Sequence, residues 1–244
     1  MKEGTEARMG VEGLKRQAGE FAVGLVESGM VVGLGHGSTA AYALRLLAAK
    51  LHRGELRDIV GVPCSRAVEE EARRLGVPLT TLEEHPQIDL TIDGADEVSP
   101  SLDLIKGGGG ALLREKVVAV ASRREVIVVD ESKLVSVLGR GPLPVEVIPF
   151  GWRTHLDLLQ SMGARAALRL TPQGVPFVTD QGNLILDCTF EGGIEAPEKV
   201  AAALDRRPGV VGHGLFLGLA TDVVAAGPQG VTHYRRAPDG GRAW

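Results

Sequence analysis

Along the first 130 residues, hydrophobic and polar positions switch repeatedly between two periods. Residues 14–28 (LKRQAGEFAVGLVES) put Leu14, Ala18, Phe21, Ala22 and Leu25 on one face, the spacing of an amphipathic helix. MVVGL (30–34) is a short apolar run that predicts a strand, and AAYALRLLAAKL (40–51) a helix. The pair repeats as DIVGV (58–62) with AVEEEARRLG (67–76), a helix that Gly76 should end. DLTID (89–93), the helix ALLREKVVAVASR (111–123) and the strand EVIVVD (125–130) continue the series. Strand alternating with helix predicts a parallel sheet joined by right-handed crossovers.

The pattern changes near PLPVEVIPF (142–150), where VEVIPF reads as a strand. WRTHLDLLQSMG (152–163) predicts a helix ended by Gly163, and ARAALRL (164–170) and NLILDCTF (183–190) predict strands joined by a turn-rich stretch. APEKVAAALDRRPG (196–209) predicts a helix and VVGHGLFLG (210–218) a strand. The order βαββαβ is that of a ferredoxin-like α+β unit. TDVVAAG and VTHYRR near the end are short strands expected to return to the first sheet. The expected class is α/β: a Rossmann-like parallel-sheet domain (1–142 with 219–244) and a smaller ferredoxin-like domain (143–218).

Glycine supplies 33 of 244 residues, about twice the usual share, without a collagen-like period. The excess points to tight turns and close approach of backbone to a ligand. A net charge of −4 argues against a broad nucleic-acid or anionic-membrane surface. No apolar run approaches the ~20 residues a membrane helix needs. The opening MKEGTEARMGVEG has three glutamates and no apolar core of a signal peptide. Cys64 and Cys188 are far apart, which fits a reducing, cytoplasmic setting and neither a disulfide framework nor a zinc site.

Four segments carry chemistry. In VVGLGHGSTAAYAL (31–44) a strand enters Gly33, Gly35 and Gly37, and Ser38 or Thr39 is placed to cap the next helix. Free N–H groups there favour an anion, though Ser38 stands where a dinucleotide fingerprint needs its third glycine. IDGADEV (92–98) leaves Asp93 and Asp96 at a strand's carboxyl end, where open α/β sheets bind ligands. IKGGGGALLREK (105–116) brings a cation, Lys106, to a run of four glycines, with Glu115 one turn into the next helix. That set can deprotonate carbon and stabilise the resulting oxyanion, and the helix N-terminus is expected to keep Glu115 ionised. The plainer alternative is a flexible loop with Glu115 paired to Lys116. In VVDESKLVSVLG (128–139), Asp130 ends a strand and Lys133 follows on the ligand side or lies on the surface. His155, His213 and His233 have no metal-like spacing, and Cys64 reads as a buried inert thiol.

These segments, with PLPVEVIPF and VTDQGNLILD (178–187), resemble ribose-5-phosphate isomerases of type A, from about Leu14 to Val231. The resemblance implies interconversion of ribose 5-phosphate and ribulose 5-phosphate, in the non-oxidative pentose phosphate pathway, without metal or organic cofactor. It implies that Glu115 is the base, with Asp93, Asp96 and Lys106 as further catalytic groups. The substrate would be surrounded by His36, Gly37, Ser38 and Thr39; by Asp93, Gly94, Ala95 and Asp96; and by Lys106, Gly107, Gly108 and Gly109. Lys133 and Lys15 would reach it too. The family usually reads Gly-Thr-Gly-Ser-Thr in the first loop, and here His36 replaces the threonine. A homodimer or homotetramer fits the family. Other readings are a related sugar-phosphate isomerase or deaminase, a non-catalytic sugar-phosphate-sensing module, and a dinucleotide-dependent dehydrogenase.

Overall fold

The structure, a computed structural model, describes residues 10–236 and 244. Its elements follow the predicted alternation. After α1 (Val11–Val23) come β1 (Val31–Leu34), α2 (Ser38–His52), β2 (Val60–Pro63), α3 (Arg66–Arg74) and β3 (Leu90–Asp93). Two short strands, β4 (Glu97–Val98) and β5 (Leu104–Ile105), precede α4 (Leu112–Ala121) and β6 (Glu125–Asp130). Then come β7 (Leu143–Val147), α5 (Leu156–Ser161), β8 (Ala164–Leu168), β9 (Leu184–Phe190), α6 (Pro197–Asp205) and β10 (Val210–His213). The chain closes with β11 (Leu215–Phe216), β12 (Asp222–Gly227) and β13 (Gly230–Arg235).

The largest sheet has the order β13-β12-β6-β3-β1-β2, all parallel except β13, which pairs antiparallel with β12. Both faces are covered, so the central strands β3 and β6 are buried at every position rather than at alternate ones. In β6, Val126 and Val128 join one core cluster with Leu44, Leu47 and Leu90, while Ile127 and Val129 join another with Leu104 and Phe216. The second sheet, β10-β7-β9-β8, is antiparallel and carries α5 and α6. Its β7-α5-β8-β9-α6-β10 sequence is the predicted βαββαβ unit, packed around Leu143, Val145, Leu159, Leu186 and Leu204.

The structure corrects the sequence reading at several places. The first helix ends at Val23, five residues short of the amphipathic pattern, where Gly24 caps it. The strand predicted over VEVIPF is Leu143–Val147, and the helix predicted from Trp152 begins as a 3₁₀ turn, Trp152–His155. The strand predicted over 210–218 breaks at Gly214, whose N–H donates to the Pro144 carbonyl. Beyond it, β11 leaves for a small third sheet, β11-β5-β4, that hydrophobic periodicity did not show.

Candidate active site

β1, β3 and β6 lie side by side in the large sheet, and their carboxyl ends open into a cavity of about 540 Å³. A cleft at the carboxyl ends of parallel strands is where this architecture places ligands. The wall is built from the start of α2, the turn after β3, the glycine run before α4, and residues 129–133 at the end of β6.

Lys106 lies at the centre. Its side chain is 2% exposed, and its Nζ stands 3.0 Å from Asp93 Oδ2 and 2.8 Å from Glu115 Oε1, donating also to the Gly94 carbonyl. Burial works against the ammonium charge, but the two carboxylates outweigh it and hold Lys106 above the usual lysine range. Glu115, in the first turn of α4, is pushed up to about 7, first by burial and then by Asp93, with Lys106 pulling the other way. The helix N-terminus, expected to favour the ionised form, is overridden by that desolvation. A carboxylate that titrates near neutrality can both take and return a proton at physiological pH.

Asp93 is fully buried and is not part of the cavity lining. Expected beside the substrate, it instead forms the floor under Lys106 and accepts the backbone N–H groups of His36 (2.9 Å) and Gly94 (2.7 Å). Asp96 does line the cavity, and its Oδ2 accepts the Gly108 N–H at 2.8 Å. The other residues singled out from the sequence, from Lys15, His36, Gly37, Ser38 and Thr39 through Gly94, Ala95 and Gly107–Gly109 to Lys133, all face this cavity. Lys15 pairs with Glu12 at 3.0 Å on the same helix.

The glycine run is required by the protein's own crowding. A methyl at Gly108 would stand 2.7 Å from the Asp96 carboxylate, and one at Gly109 would stand 2.6 Å from the His36 imidazole. Gly110 has φ +81° and packs under the Phe177 ring. Arg169, from the segment after β8, donates to the carbonyls of Gly107 (2.9 Å) and Gly108 (3.1 Å) and is itself paired with Asp187. The start of α2 differs from expectation. Gly37, at φ 110°, is its N-cap, and no side chain caps it. Ser38 is instead the first helical residue, so the first-turn N–H groups are available to an anion.

Two further residues lie behind the site: Cys64, buried as the sequence reading expected, and Glu125, which that reading did not anticipate. Cys64 is buried, its thiol pushed up by burial and then by Asp93 and Glu115. Ligand atoms of Cys64, Asp93 and Glu115 lie within 4.8 Å of one another, a set able to hold a metal ion, and the Lys106 ammonium already stands against two of them. Glu125, at the start of β6, is 1% exposed, and neither of its carboxylate oxygens is hydrogen-bonded. Burial, reinforced by Asp93, pushes it well above the usual carboxylate range.

The model of the family "Ribose 5-phosphate isomerase A (phosphoriboisomerase A)" matches residues 60–230. A ribose-5-phosphate isomerase A of Chloroflexus aurantiacus is 58% identical over 231 residues, covering 94% of this chain and 96% of that one. Among solved structures, a D-ribose-5-phosphate isomerase in complex with phospho-erythronic acid superposes with a TM-score of 0.91 at 40% identity, covering 93% of this chain and all of that one. A ribose 5-phosphate isomerase A from Methanocaldococcus jannaschii gives 0.88 at 39% identity, with 93% and 100% coverage. Matches of this extent run through both the large and the antiparallel sheet, and the chain belongs to the ribose 5-phosphate isomerase A family.

Proposed function

We propose that the chain interconverts D-ribose 5-phosphate and D-ribulose 5-phosphate with Glu115 as the single base. The observation that carries this reading is a glutamate titrating near 7, 2.8 Å from a fully buried lysine, on the wall of a cavity large enough for a pentose phosphate. The phosphate sits at the uncapped start of α2, with Lys15 and Lys133 at the rim. Asp96, the carboxylate of the turn that reaches the cavity, passes the proton needed to open the sugar ring. Glu115 then removes the C2 proton, and the electron pair moves onto the carbonyl oxygen to give a cis-enediolate. Lys106 faces that developing charge, with the N–H groups of the glycine run other than those of Gly108 and Gly110, which are bonded to Asp96 and the Gly107 carbonyl. A proton then passes from O2 to O1 of the enediolate, and Glu115 returns its proton to C1, which leaves the carbonyl at C2 and gives the ketose. Asp93 holds Lys106 in place beneath them.

Lys106 supplies positive charge at the point where a divalent ion would otherwise polarise the oxygen, which supports metal-independent turnover. A coupled isomerase assay with and without EDTA tests it: equal rates are expected, and loss restored by a divalent ion refutes it. In this reading the catalytic domain is 1–142 with 219–244, of which 1–9 and 237–243 lie outside the described residues, and 143–218 is the ferredoxin-like one. Exposed Phe150, Val120 and Val117 support assembly into a homodimer or homotetramer, read by light scattering. The two free, buried cysteines support a cytoplasmic setting. No described helix is long and apolar enough to cross a membrane.

A further inference from the structure

The imidazole of His36 has a partner outside the cavity. Its Nδ1 is 3.0 Å from the hydroxyl of Ser65. Ser65 is 3% exposed and is the N-cap of α3, where its oxygen accepts the Val68 N–H at 3.1 Å. A serine hydroxyl has one proton to give and two lone pairs with which to accept. The cap uses one lone pair. Among the described residues, Nδ1 of His36 is the one acceptor hydrogen-bonded to the hydroxyl. Were Nδ1 to carry the hydrogen, the buried hydroxyl proton would have no acceptor, a state that folded proteins avoid. The bond therefore runs from Ser65 Oγ–H to Nδ1, and in the neutral ring the hydrogen sits on Nε2.

The residue is held at its backbone as well as at its ring. The backbone N–H of His36 is bonded to Asp93, and the Nε2 edge lies against Gly109, with room there for no side chain. His36 lines the cavity together with Ser38, where the phosphate is placed, and Asp96. We propose that Ser65 is a positioning residue that fixes the Nε2–H tautomer of His36, making this imidazole a hydrogen-bond donor to a hydroxyl oxygen of the bound sugar chain. A threonine at the same position could donate or accept, whereas His36 in this tautomer only donates. The chain thereby selects for a sugar oxygen that accepts at that point. The inference rests on the cavity being the sugar-phosphate site.

Two measurements test it. Long-range ¹H–¹⁵N correlation spectra of the labelled wild-type protein at pH 8 report which ring nitrogen of His36 carries the hydrogen. Nε2–H is expected, and Nδ1–H overturns the proposal. This readout needs no turnover, so it stands apart from the assigned activity, which falls separately if the wild-type chain does not isomerise ribose 5-phosphate. The second measurement is a double-mutant cycle on KM. Ser65→Ala should raise KM for ribose 5-phosphate on the order of ten-fold, the usual effect of one lost hydrogen bond, with kcat little changed. Ser65→Thr, which keeps the hydroxyl, should restore KM. In a His36→Thr background, Ser65→Ala should no longer move KM, although the lost cap still lowers the melting temperature. An equal rise of KM in both backgrounds would mean that Ser65 acts through α3 alone, and the proposal falls.

Discussion

Replacing Glu115 by Gln leaves the shape of the side chain and removes its ability to accept a proton. A positioned general base is worth on the order of 10²–10⁴-fold, or about 3–5 kcal/mol of activation free energy. kcat of Glu115→Gln should fall by at least the lower figure. KM should change little, because the phosphate is gripped at the start of α2. The fold should not suffer. Glu115 is pushed up to about 7, above the value of an unfolded glutamate, so its ionisation costs stability as the pH rises from about 4.3 to 7. Gln removes that cost while Asp93 still neutralises Lys106, so the variant should melt no lower than wild type at pH 8. The same value sets the pH profile of the wild type. With a pKa of about 7, roughly a tenth of the base is ionised at pH 6 and about nine-tenths at pH 8, so kcat/KM should climb through neutrality with unit slope below it. The assays are initial rates of ketose formation from pH 5 to 9, and proton NMR of the C2 hydrogen in deuterated water, whose exchange should stop in the variant. Retention of more than a tenth of wild-type kcat would remove Glu115 as the base. An acid limb near pH 4.3 would show that burial does not govern it.

Three further outcomes follow from neighbouring residues. Glu125→Met replaces a buried, unbonded carboxyl with an apolar chain of similar length; it should stabilise the fold at pH 8 by about 1–3 kcal/mol. Because the folded Glu125 value is raised, its penalty grows with pH above the unfolded value, so the melting-temperature gap should shrink toward pH 4; a gap independent of pH contradicts this. Ser38→Asp sets a carboxylate against the phosphate and should raise KM at least ten-fold while α2 stays intact, as circular dichroism can check; an unmoved KM would place the phosphate elsewhere. Arg169→Ala frees the carbonyls of Gly107 and Gly108; it should cost about 1.5–3 kcal/mol of stability and lower kcat more than it raises KM, and unaltered kcat would show that the loop holds itself.

What could be read in the sequence divides along physical lines. The six-stranded sheet was legible because its inner strands, buried on both faces, hold short apolar runs such as VIVV (126–129), and its helices keep a 3.6-residue stripe. Lys106, Glu115 and Asp96 were legible because carboxylates and a lysine beside glycine runs at strand ends have few structural uses. β4, β5 and β11 were not, since two-residue strands carry no period. Glu125 opens a strand after two arginines and reads as a surface charge; only the strand register, opposite Thr91 and two residues before the partner of Asp93, buries it. The role of Ser65 was hidden for a similar reason, since a cap serine is common and its bond to His36 joins residues 29 apart. Arg169 gave no signal at all, because the glycine carbonyls it holds lie about 60 residues earlier in the chain.

The place of β12 in the large sheet bears on how the chain is made. β6 is flanked by β3 on one side and β12 on the other, yet β12 starts about 90 residues after β6 ends, with the whole antiparallel sheet translated in between. At ribosomal speeds of 5–20 residues per second, the β6 edge therefore waits roughly 5–20 s for its partner. That edge is Val-Ile-Val-Val closed by Asp130, a β-branched run charged only at its end and a ready template for pairing with another nascent chain. α1, emerging first, packs against β6 and shields one face in the meantime, but it leaves the backbone N–H and C=O groups of the edge open. Synthesis of this protein thus passes through an interval of exposure that ends only when the last strands leave the ribosome. Chains truncated before Asp222 should stay in it permanently and partition into aggregates, whatever the condition of their catalytic residues.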